Sequence, residues 1–206
     1  MKLKDYFSNN LAVLALIFIN LLIFVALYIF PNLSGYLLLN PEPSVVAERP
    51  WTLITVLFSH EILIHFLLNM FLVFVFGTQL SRETNAKIMY CVYILCGFLG
   101  SLTILAYAPL VKYDGDAIAG ASAAAFGIVT AYAALQPNKS ILKSKAIYWV
   151  IALFVFNAIL TIRNPRISVG GPAHAIGIIA GLIIGFMLKR KYPKKSKSTI
   201  RTVEEN

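Results

Sequence analysis

The stretch AIAGASAAAFGIVTAYAALQPN, residues 117–138, runs for 22 residues without a charged side chain. A segment that crosses a bilayer needs about 20 mostly apolar residues, whereas helices on a soluble domain interleave charge along their length. Five more windows are equally free of charge: 6–41, 62–81, 88–111, 146–162 and 167–188. The whole chain has 206 residues, 59% of them hydrophobic and only 13% charged. Such a composition excludes disorder, and the crowding of charge into the gaps excludes a soluble domain. The expectation is an all-α polytopic membrane protein, a six-transmembrane-helix bundle with spans at about 11–30, 62–80, 88–108, 117–135, 146–162 and 169–188. Open strands would leave unpaired backbone groups facing lipid, and no segment has the alternation of a membrane barrel.

The charges between the spans predict the sidedness. The 18 Lys and Arg exceed the 9 Asp and Glu, for a net charge of +9. With a cytoplasmic amino terminus, Lys2, Lys4, Arg82, Lys87, Lys139, Lys143, Lys145 and the seven basic residues after span six lie inside. Only Arg49, Lys112, Arg163 and Arg166 lie outside. The positive-inside rule therefore places both termini in the cytoplasm, in a cell membrane. The first span is read as a true span rather than a cleaved signal, because its apolar run is long and no small-residue cleavage site follows. The chain reads as one domain, 1–206, with a core of about 11–188 and a basic tail, 189–206, that stops transfer and attracts anionic lipid headgroups. No nucleic-acid partner is expected, since the basic residues adjoin a span. Cys91 and Cys96, five apart within span three, read as buried apolar thiols. The long outer connection, 31–59, carries Pro41, Pro43 and Pro50 and reads as an irregular loop anchored at the interface by Trp51.

Polar side chains inside spans are expensive and are functional candidates by default. All three histidines qualify: His60 beside span two, His65 within it, and His174 in span six. Asn69 shares span two with His65, and Ser122 stands in span four. Spans two, four and six all run inward. Ser122 is six residues past Asp116 and His174 eight past Arg166, which places both roughly 9 to 12 Å below the outer charged boundary. His65 and Asn69 begin at a similar depth, so three helices deliver polar groups to one level of the outer leaflet.

The types suit acyl transfer. A serine hydroxyl is a weak nucleophile until a base takes its proton, and neutral imidazole is the usual base. His65 and Asn69, four apart, share a helix face from which both could donate to an oxyanion. No Asp or Glu lies within a span to complete a triad, so a two-residue unit of Ser122 and His174 is expected. Small residues around Ser122, and Gly177 with Gly181 on span six, would let the two helices approach closely. Taken singly, each residue also suits tight packing or an interhelical hydrogen bond; the shared depth favours a site.

These residues resemble the rhomboid family of intramembrane serine proteases. The matching elements are Trp51, Thr55, Phe58 and His60 in the outer loop, His65-x-x-x-Asn69, Gly120-x-Ser122, and Ala173-His174-x-x-Gly177-x-x-x-Gly181, spread over the whole six-span core. The resemblance implies Ser122 as nucleophile, His174 as general base and acid, and His65, Asn69 and the Ser122 N–H as oxyanion donors. It also implies that Phe126 packs on the catalytic imidazole. Three positions depart from the pattern: Ala123 in place of a frequent Gly, Thr52 in place of a frequent Arg, and Ser81 near a frequent Glu.

Rival chemistries fit less well. His60 and His65 are five apart, not the four of a helical zinc-protease motif, so no metal site and no cofactor are expected. A transporter would be supported by broken helices or intramembrane carboxylates, which the sequence does not clearly contain. The alternative that remains is an inactive rhomboid-like protein that binds membrane proteins. The expected partners are transmembrane protein substrates and the lipid bilayer, with span five, bearing Trp149, Phe154 and Phe156, as a candidate lateral gate.

Overall fold

The computed structural model describes residues 3–163 and 169–192, with side chains from residue 10 onward. The sequence assignments made for Lys2, for Arg166 and for the tail beyond Tyr192 lie outside the described residues. Each uncharged window contains a helix: α1 (Leu3–Ile29), α2 (Leu63–Glu83), α3 (Ala86–Tyr107), α4 (Ser122–Leu135), α5 (Ala146–Arg163) and α6 (Gly170–Lys191). Five are long and apolar enough to cross a membrane. The protein is an all-α, multi-pass integral membrane protein.

The exception is α4, whose 14 residues reach only about 21 Å, short of the roughly 30 Å hydrocarbon core. The span expected over 117–135 is therefore corrected: its first five residues are not helical. Ile118 exchanges both backbone hydrogen bonds with Leu39, at 2.8 and 3.0 Å, and Gly120 has φ of +149°, which a continuing helix cannot hold. Non-helical backbone at membrane depth survives where protein covers it or where it lines a cavity. Here α4 is surrounded by α2, α3, α5 and α6, and every one of its residues is buried. Its run of Ala and Gly makes it thin enough to occupy the centre.

The remaining elements hold this centre in place. α2 contains a π-helical turn, Val73–Gly77, whose Phe76 packs edge-on against Tyr132 and Trp149. Trp149 thus faces the core, whereas Phe154 and Phe156 on the same α5 are exposed toward the lipid side. At the C-terminal ends of α2 and α4 the Glu83 carboxylate accepts a hydrogen bond from Gln136 at 3.1 Å, tying the two helices two positions beyond Ser81. A short hairpin, β1 (Ser140–Ile141) with β2 (Ser144–Lys145), joins α4 to α5.

The connection between α1 and α2 is more ordered than its prolines suggest. Trp51 Nε1 donates to the Tyr36 carbonyl at 2.9 Å, and Thr55 Oγ1 to that of Leu37 at 2.8 Å. Thr52 caps the Arg49 carbonyl at 2.8 Å, while the Arg49 guanidinium lies 5.2 Å from the Tyr36 ring centre. Tyr93 of α3 donates to the Leu57 carbonyl at 2.6 Å, fixing the loop end that leads to His60.

Candidate active site

Ser122 is the first residue of α4, so its N–H, like the others of the first turn, has no partner within the helix. His174 sits near the N-terminal end of α6. The two helices meet along a stripe on α6: a side chain at Gly177 would run into the Ala123 carbonyl, one at Gly181 into Gly127 and Thr130, and one at Gly185 into Ala131. This close approach brings Ser122 Oγ to 2.6 Å from His174 Nε2. Phe126, one turn after Ser122, packs on the imidazole with ring centres 4.9 Å apart.

The sequence reading missed a third side chain. Asn157 of α5, only 7% exposed, places Oδ1 2.9 Å from His174 Nδ1, and its Nδ2 donates to the Gly171 carbonyl at 3.0 Å. The imidazole is therefore held at both nitrogens. A signal for it exists in the sequence: Asn157 is a polar residue six positions, about 9 Å of helix, before Arg163. Asp114 and Asp116 are exposed in the connection between α3 and α4.

His65 joins Ser122 and His174 around a cavity of about 220 Å³, whose walls also include Gly120, Ala123 and Asn157. A methyl group at Gly120 would lie 2.8 Å from His65 Cε1, 3.4 Å from its Nε2 and 3.5 Å from Ser122 Oγ. The missing side chain thus leaves a notch between the imidazole edge and the hydroxyl. Asn69 is not among the residues lining this cavity. It is buried behind His65, its Nδ2 3.0 Å from His60 Nε2. The His60 ring in turn meets His65 edge-on at 5.4 Å. Burial, with a smaller contribution from His65, pulls His60 down to about 3, so it is neutral near neutral pH.

Together these groups offer a hydroxyl in contact with an imidazole, a third group on the far ring nitrogen, and donors beside the hydroxyl. A family model described as the Rhomboid domain matches residues 47–191. RHOMBOID-like protein 6, mitochondrial, of Arabidopsis thaliana is 33% identical over 145 residues, covering 70% of this chain and 45% of that protein. RHOMBOID-like protein 5 of the same plant is 30% identical over 142 residues, covering 67% and 44%. RHOMBOID-like protein 7, also from that plant, is 26% identical over 180 residues, covering 80% and 55%. The chain spans about half the length of the curated relatives it matches.

Proposed function

Because the chain belongs to the rhomboid family, we propose that it is an intramembrane serine endopeptidase that cuts transmembrane segments of other membrane proteins. The observation that carries this reading is the 2.6 Å contact between Ser122 Oγ and His174 Nε2 beside an open cavity. Ser122 attacks the substrate carbonyl carbon as His174 Nε2 takes its proton. The oxyanion settles against the Ser122 N–H and the His65 ring with its proton on Nε2; Asn69 is the further donor that the family pattern implies. Collapse breaks the C–N bond, and His174 gives the proton to the departing amine. Water then enters, His174 deprotonates it, and attack on the acyl-enzyme frees the new carboxyl end and restores Ser122.

Substrates are transmembrane helices that unwind near the outer leaflet, so small or helix-weakening residues favour cleavage by lowering the cost of exposing backbone. The excess of Lys and Arg on one side supports cytoplasmic termini in a cell membrane, with 1–206 as a single membrane domain and 189–206 as its basic tail. The test is cleavage of such a helix co-reconstituted in vesicles. Ser122→Ala and His174→Ala should each cut the rate by about 10³-fold or more. Undiminished cleavage by Ser122→Ala would overturn the assignment, and a wild-type chain that binds the helix without cutting it is an inactive member of the family.

A further inference from the structure

We infer that Asn157 is the positioning residue of this site, fixing both the aim and the tautomer of His174; the inference rests on reading His174 as the base. The Gly171 carbonyl can only accept, so the Asn157 amide must turn Nδ2 toward it, across 3.0 Å. That leaves Oδ1 facing His174 Nδ1 at 2.9 Å. Oδ1 also can only accept, so in the neutral imidazole the proton sits on Nδ1 and Nε2 is bare. The bare nitrogen is the one 2.6 Å from Ser122 Oγ. One backbone carbonyl on α6 thereby decides, through an amide on α5, which ring nitrogen can take the serine proton.

The surroundings keep the amide in place. Thr161 donates to the Asn157 carbonyl at 2.8 Å, and a side chain at Gly171 would collide with Thr161, so α5 and α6 touch at this level. Asn157 is 93% buried by its 7% exposure, and rotating it would strand a donor and an acceptor away from water. An amide suits this depth better than a carboxylate, because an ionised group in the membrane is costly. The fold can thus orient its base without an acidic residue inside the spans.

The experiment pairs ¹⁵N-histidine spectra of the detergent-purified full chain with kinetics on the vesicle-reconstituted helix. Only three histidines contribute, and loss of one signal set in His174→Ala assigns it. The wild-type His174 should be protonated on Nδ1 and bare on Nε2. Asn157→Leu should mix or reverse the tautomers and lower kcat roughly 10- to 100-fold, with KM within about twofold. Asn157→Asp, present at this depth as the neutral acid, keeps an acceptor toward Nδ1 and an O–H donor toward the Gly171 carbonyl, and should retain kcat within several-fold. An unchanged tautomer and kcat in Asn157→Leu, or equal losses in Leu and Asp variants, would reduce Asn157 to a tie between helices and overturn the inference. Thermal midpoints recorded alongside identify any variant that has lost its fold, and the Asp variant's tautomer then decides. A wild type that fails to cleave while showing the expected tautomer sinks the endopeptidase reading and leaves the Asn157 geometry standing.

Discussion

At Gly120 two constraints coincide: a φ of +149°, and a side-chain position already claimed by His65 at 2.8 Å. Alanine there is strained by about 1–3 kcal/mol, and its methyl fills the notch between His65 and Ser122. Gly120→Ala should therefore lower kcat/KM about 10²- to 10³-fold, as removal of a single oxyanion contact does, and lower the thermal midpoint as well. Wild-type turnover in this variant would show that the notch takes no part. At this scale the sequence exposed much of the site, because Ser122, His65 and His174 are rare polar groups at a common depth. Asn157 is harder to see, because a single amide in an apolar run equally suits a plain interhelical hydrogen bond. The position of Asn69 behind His65 was also illegible: four-residue spacing fixes a shared face, but not which of two side chains reaches the cavity first.

Between elements, the Ser122–His174 contact is a consequence of how α4 seats on α6. Gly177, Gly181 and Gly185 present backbone to backbone, and Gly181 in particular faces the Gly127 carbonyl and the Thr130 hydroxyl. Gly181→Val should force the helices apart, costing about 1–3 kcal/mol or more in stability and lowering catalysis although residue 181 lies two turns from His174. A thermal midpoint within error of wild type, with full activity, would mean that the packing stripe yields without disturbing the site. The sequence announced the helices through their uncharged windows and announced two of the stripe's three glycines, Gly177 and Gly181. It did not announce that α4 starts only at Ser122. That boundary follows from the backbone pairing of Ile118 with Leu39, a contact between residues nearly 80 positions apart that no local pattern encodes.

For the whole molecule, one short helix among four long neighbours explains how a hydroxyl can be buried in the bundle and still face a cavity. Had α4 run the full thickness, its polypeptide would have filled the space that the 117–121 segment leaves open above Ser122. Charge-free windows made the membrane architecture readable from composition alone, because lipid penalises charge more uniformly than any protein core does. The account stands on Ser122 and His174 acting as one unit in that cavity. The most direct test is treatment of the purified chain with a fluorophosphonate, followed by mass spectrometry of its peptides. A single adduct on Ser122, lost or greatly slowed in His174→Ala, is the predicted result; an adduct on another serine, or labelling of Ser122 at an unchanged rate without His174, would contradict it.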